Sequence, residues 1–221
     1  MIRGKNMTKD IQDMVAHGTT TVGIVCKDGI ILAADRRASA GYFVADKKAE
    51  KIQKISDYMA ITTAGLVSDT QLFTRIIRAQ LKLLKIRKGK EPSVEEASNL
   101  LASLAYVNIR RPSMVPGIVG FLLGGMDKTG FGLYEIGVDG STSKAEDYKT
   151  DGSGSYVAVG VLETLYKKDM TIQEGVELAV KCISAAMQRD IATGNGLDVI
   201  TITKDGVKSV ISRQLDNVLK L

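Results

Sequence analysis

The chain has 221 residues, 44% of them hydrophobic and 25% charged, a balance that suits one globular domain with a sizeable core and excludes a disordered composition. No apolar run approaches the roughly 20 residues that span a bilayer, and residues 1–16 lack the apolar block of a secretory signal, so a cytoplasmic protein with no membrane partner is expected. The net charge of +5 raises nucleic-acid binding, but Arg75, Arg78, Lys82, Lys85, Arg87, Lys88 and Lys90 fall at helical spacing opposite an apolar stripe. No aromatics interleave with them for base stacking. They read as a solvated helix face or a face meeting an acidic neighbour, and no nucleic-acid partner is expected.

Taken in order, residues 1–18 show no periodicity and read as a polar leader. Residues 20–26 alternate as a strand, residues 27–29 (Lys-Asp-Gly) turn, and residues 30–35 form a second, more buried strand. Residues 36–48 read as irregular. Residues 51–55 and 58–63 form a strand pair turning at Ser56-Asp57. Ala64-Gly65 ends it, and Ser68 or Asp69 caps a long helix with the stripe Leu72, Phe73, Ile76, Ile77, Leu81 and Leu84, stopped by Gly89. Pro92-Ser93 opens a second helix, with Ser93 and Glu96 as a capping box and Ala97, Leu100, Leu101 and Leu104 as its inner face.

Residues 118–123 and 131–136 pair across a turn at residues 127–130, and a short strand follows near 145–149. Residues 151–155 lead into a third helix carrying Val157, Val161, Leu162 and Leu165. Thr171 and Glu174 box the start of a fourth, with Val176, Ala179, Val180, Ile183 and Met187 inward. Residues 197–203 and 207–212 close the chain as a hairpin across Asp205-Gly206. Strands, a helix pair, strands, a helix pair and strands again predict an α+β domain. Two antiparallel sheets face each other with a helix pair on each outer side, a four-layer αββα sandwich without an internal linker.

Chemistry concentrates at His17-Gly18-Thr19-Thr20-Thr21. These β-branched residues suit a strand start. If the chain is cut between Gly18 and Thr19, however, Thr19 carries both a hydroxyl nucleophile and a free α-amine, whose pKa near 7.7–8.0 makes it a usable base. His17 is the only histidine and sits in the leader, so a histidine-based triad is not available. A positive charge beside such a site favours the free amine. Lys51 is the candidate, with Asp35 at the end of a buried strand as its counter-ion; a plain strand-end ion pair is the alternative. Ala64-Gly65 can offer a backbone N–H to an oxyanion, or simply enter a helix. Ser153 lies among glycines at a helix start but lacks the lysine and spacing of a phosphate loop. Asp190, near a helix end, calls for a specific partner against the helix dipole. No cysteine–histidine cluster suggests a metal; Cys26 and Cys182 lie far apart in apolar-periodic segments and read as buried and reduced.

Several spaced motifs together resemble the catalytic β subunits of archaeal-type proteasomes, in the N-terminal-nucleophile hydrolase superfamily. They are Gly18-Thr19-Thr20-Thr21-Val22-Gly23, Ala33-Ala34-Asp35-Arg36-Arg37, Lys51-Ile52, Ala64-Gly65-Leu66-Val67-Ser68-Asp69, Gly152-Ser153-Gly154-Ser155 and Ala185-Ala186-Met187-Gln188-Arg189-Asp190. The resemblance implies a threonine endopeptidase with residues 1–18 as a self-removed propeptide and residues 19–221 as the mature domain. It makes Thr19 the nucleophile, Lys51 the group that lowers the amine pKa, Asp35 its anchor, Gly65 the oxyanion donor, and Ser153 and Asp190 the supports of the amine. Where the family often has serine, this chain has Thr193. Arg37 would pair within the site region, and Ser39 would offer its main chain to an extended substrate. Ala49, Thr63 and Val67 would shape a roomy, mainly apolar pocket. The resemblance further implies a seven-membered β ring stacked on a second, capping rings of α subunits, an ATPase ring that feeds unfolded protein, and no cofactor. Thr20 and Thr21 keep the plain strand reading.

Overall fold

The computed structural model describes residues 18–115 and 117–215. Its strands are β1 (Thr21–Cys26), β2 (Gly29–Asp35), β3 (Ala38–Ala40), β4 (Phe43–Asp46), β5 (Ile52–Lys54), β6 (Met59–Gly65), β7 (Val119–Asp127), β8 (Gly130–Ile136), β9 (Thr142–Ala145), β10 (Tyr148–Asp151), β11 (Gly196–Thr203) and β12 (Gly206–Gln214). Its helices are α1 (Val67–Lys88), α2 (Val94–Ile109), α3 (Ser155–Leu165) and α4 (Ile172–Arg189).

Strand β2 shows why the layers stack. Side chains alternate across a strand, yet Ile30, Ile31, Leu32 and Ala33 are all fully buried. Such a strand needs cover on both faces. On one face Ile30 and Leu32, with Ile202 of the neighbouring β11, meet Leu122 and Leu133 of the other sheet. On the opposite face Ile31 and Ala33 join Ala158, Leu162, Ala179 and Ile183 from α3 and α4. The second sheet repeats the pattern, with Ile61, Phe121 and Leu123 packed on Phe73, Ile77, Leu81, Ala97 and Leu101 of α1 and α2. The sheets run β10-β1-β2-β11-β12 and β5-β6-β7-β8-β9, each antiparallel throughout. The αββα sandwich expected from the pattern is the observed architecture.

The local expectations fare unevenly. Both capping boxes are closed, Ser93 with Glu96 and Thr171 with Glu174. Gly89 ends α1 in the left-handed region at φ 64° and donates its N–H to Lys85 O. The start of α1 differs: Leu66 is the N-cap, without a side-chain cap, and Ser68 and Asp69 lie inside the first turn. Strand β6 runs almost directly into the helix, because the Leu66 N–H bonds Ile118 O instead. Leu72, expected in the apolar stripe of α1, is exposed, and so is Leu165 at the end of α3. Residues 36–48 are not irregular but contain the two-stranded pair β3–β4, which is short, built mostly from small residues and bulged between Ala38 and Ser39. It has no long apolar alternation to announce it. The single strand expected near 145–149 is two: β9 ends in one sheet at Ala145, and β10 begins in the other at Tyr148. On the basic helix face Lys85 pairs with Glu91 and Lys88 with Glu96, so part of that charge meets acidic neighbours within the chain.

Leu122 is fully buried between the sheets. Leu122→Ala is expected to lower unfolding free energy by about 2–5 kcal/mol, measured by denaturant titration, whereas Leu165→Ala at the exposed end of α3 is expected to change it by less than about 0.5 kcal/mol.

Candidate active site

Asp35 closes β2 and is fully buried. Four donors surround its carboxylate. Lys51 Nζ (2.6 Å) and Thr20 N (3.0 Å) donate to Oδ1, and Arg37 N (2.9 Å) and Gly194 N (3.0 Å) donate to Oδ2. The expected pairing of Asp35 with Lys51 is present. Lys51 stands just before β5, and its carbonyl accepts from Thr63 N at 2.9 Å and from Thr63 Oγ1 at 3.4 Å, which fixes its stem against β6. Burial holds the Lys51 ammonium below its ordinary pKa, against the opposing pull of Asp35 and, more weakly, Asp190.

Thr19 is 4% exposed. Its N–H donates to Ser153 Oγ at 3.2 Å, and its carbonyl accepts from Gly154 N at 3.3 Å. Gly152, at φ +96°, lies so close that an added Cβ would stand 2.1 Å from Thr19 O. Only glycine fits that turn, which explains the glycines around Ser153 better than any phosphate cradle. Asp190 is the C-cap of α4. Its charge at the negative end of the helix is unfavourable alone, and three donors offset this: Ser153 Oγ (2.6 Å) and Thr193 Oγ1 (2.5 Å) on Oδ2, and Ala192 N (3.1 Å) on Oδ1.

One further link was not legible beforehand. Thr20 Oγ1 lies 2.6 Å from Thr193 Oγ1. A hydroxyl has one hydrogen to give, and that of Thr193 goes to Asp190, so Thr20 is the donor in this pair. Thr20, read from the sequence as a plain strand residue, thus begins a chain that runs through Thr193, Asp190 and Ser153 to the Thr19 nitrogen. Its backbone N–H also holds Asp35. Only Asp190 and Thr193 are close enough in sequence to hint at such an arrangement; Thr20 gave no separate signal. The extra methyl of Thr193 is accommodated, with the residue 1% exposed.

Gly18 is needed for space. An added Cβ would stand 1.8 Å from Ala192 Cβ and 2.9 Å from Ser153 Oγ. Its N–H donates to Ser39 Oγ at 3.2 Å. The Ser39 hydroxyl thus meets the residue that precedes Thr19. Arg37 pairs within the site region as expected: Nε donates to Asn195 Oδ1 (2.7 Å) and Nη1 to Ile191 O (2.6 Å), pinning the loop after α4. Residues 1–17 of the expected propeptide lie outside the described residues.

Gly18, Thr19, Lys51 and Gly65 line one cleft of about 530 Å³ together with Ala49, Thr63 and Val67. Gly65 has φ +126°, and an added Cβ would meet Ile118 O at 2.1 Å, so the strand-to-helix switch there depends on glycine. The rim adds Asp46, Lys48, Glu50, Arg75 and Arg78. The lining surface nevertheless stays mainly apolar, as expected.

Fold and cleft define the class: a four-layer αββα domain whose first strand follows a buried threonine set beside a lysine–aspartate pair. The model of the proteasome family, described as proteasome subunit, matches residues 15–202. Proteasome subunit beta of Archaeoglobus profundus is 44% identical over 213 residues, covering 96% of this chain and 97% of that one. The protein of the same name from Ferroglobus placidus is 44% identical over 214 residues, covering 95% and 98%. That from Methanocaldococcus fervens is 41% identical over 206 residues, covering 93% and 90%. The chain belongs to the proteasome subunit family.

Removing one member of a buried ion pair leaves the other charge uncompensated. Lys51→Met is expected to destabilise the fold by about 3–5 kcal/mol, read as a lower denaturation midpoint with an unchanged slope.

Proposed function

We propose that this chain is a self-activating threonine endopeptidase, a β-type subunit of a proteasome core that degrades unfolded proteins to short peptides. The coarser part follows from its family: a proteasome subunit does peptidase work within a core assembled from several subunits. The observation that carries the finer reading is the bond from the Thr19 nitrogen to Ser153, backed by Asp190, in the cleft that also holds Lys51. That nitrogen is the atom that becomes a free amine when the chain is cut after Gly18.

In the cut chain Thr19 Oγ attacks a substrate carbonyl while the α-amine takes its proton, directly or through one water. The Gly65 N–H stabilises the oxyanion. The amine then returns the proton to the leaving peptide nitrogen, and water hydrolyses the ester on Thr19. Lys51, held by Asp35, supplies positive charge that keeps the amine unprotonated near neutral pH. Ser153, Asp190 and Thr193 orient the amine. Self-activation uses the same hydroxyl on the Gly18 carbonyl. Ala49, Thr63 and Val67 bound the substrate pocket, and Ser39 flanks the bound chain. The assembly we propose has two stacked rings of seven β subunits, capped by α rings and supplied by an ATPase ring, in the cytoplasm.

Mass spectrometry of the assembled protein is expected to find Thr19 at the N-terminus; residues 1–18 retained in active particles overturn the reading. Thr19→Ala is expected to keep those residues and to lose peptidase activity. Thr20→Val keeps the nucleophile but breaks the link to Thr193, and a fall in kcat of about 3- to 10-fold is expected from the loss of one buried hydrogen bond, measured on a fluorogenic peptide.

A further inference from the structure

We infer that the Ser39 hydroxyl is a positioning group for cleavage of the Gly18–Thr19 bond; the inference rests on the self-activation proposed above. Two successive amide groups flank the Gly18 Cα. The first, the Gly18 N–H, is held by Ser39 Oγ at 3.2 Å. The second, the Thr19 N–H of the scissile amide itself, is held by Ser153 Oγ at 3.2 Å. Between them lie the two soft torsions of a glycine, which is the most permissive residue in the chain's alphabet. A glycine held at only one end could present its carbonyl to Thr19 Oγ in many directions. Anchored at both ends, and with Ala192 filling the space where a Cβ would sit, it presents few. Attack on a carbonyl gains a large part of its rate from such alignment.

Ser39 is well placed to act as a fixed post. It is 3% exposed, and it pairs with Val44 across the β3–β4 ribbon, immediately after the bulge between Ala38 and Ser39. A bulge commonly re-aims a side chain. In the cleavage, Thr19 Oγ bonds to the Gly18 carbonyl carbon, the C–N bond breaks, and the hydroxyl proton ends on the Thr19 nitrogen. Water then hydrolyses the ester, leaving a Gly18 carboxylate and a free Thr19. Ser39 exchanges no proton in these steps; it orients the carbonyl through the amide on its far side.

The test uses the full chain. The fraction beginning at Thr19 is followed in time by mass spectrometry for the wild type, Ser39→Ala and Ser39→Thr. Ser39→Ala is expected to mature about 3- to 10-fold more slowly, and Ser39→Thr, which keeps the hydroxyl, to recover most of the rate. In the uncut Thr19→Ala background, adding Ser39→Ala is expected to speed hydrogen exchange at the Gly18 amide while leaving the strands of both sheets protected. Maturation of Ser39→Ala at the wild-type rate, or equal slowing in Ser39→Ala and Ser39→Thr, overturns the inference and leaves self-activation standing. A wild-type chain that stays uncut, or a Thr19→Ala chain that is still cut, overturns self-activation instead, and the role of Ser39 falls with it.

Discussion

The buried carboxylate of Asp35 is the constraint on which the rest depends. Moving a charge out of water costs several kcal/mol unless partners replace the lost hydration. Here the partners come from four separate places: the residue before β1, the residue before β5, the turn after β2 and the loop after α4. None can be withdrawn without leaving part of the charge bare. A single residue therefore forces Thr20, Arg37, Lys51 and Gly194 to converge, and it sets Thr19, one step from Thr20, at the mouth of the same cleft as Lys51.

A second anion organises the other side. Asp190 accepts from Ser153 and Thr193, and each of those hydroxyls has spent its only hydrogen on it. Ser153 is left as an acceptor for the Thr19 nitrogen, and Thr193 as an acceptor for Thr20. The donor directions are thus dictated by the charge at the end of α4. The carboxylates divide the work: Asp35 secures a cation, and Asp190 orders hydroxyls.

Much of this was legible in the sequence, for physical reasons that also explain what was not. The helix starts at Ser93 and Thr171 carry their partners three residues on, so local chemistry reveals them. Strand β2 reveals itself by an unbroken apolar run. Asp35 and Lys51 were legible as a pair because each is a charge beside a buried strand. The β3–β4 ribbon was missed because it is short and lacks apolar alternation, and the change of sheet between Ala145 and Tyr148 because it is set by packing between layers. Thr20 was missed because a threonine in a strand is ordinary, and only its tertiary neighbours, Thr193 and Asp35, distinguish it. The crowding at Gly18 was invisible for the same reason: Ala192 lies far along the chain.

That crowding has a consequence for timing. The wall against Gly18 comes from the loop after α4, which Arg37 and Asp35 pin to the end of β2. The cleft beside it also needs β6, from the opposite sheet. Under the proposed self-activation, a chain whose sheets have not yet stacked lacks the cleft, and its leader stays attached. The cut at Gly18–Thr19 then serves as a receipt for completed folding, issued only once both halves of the sandwich have closed on each other.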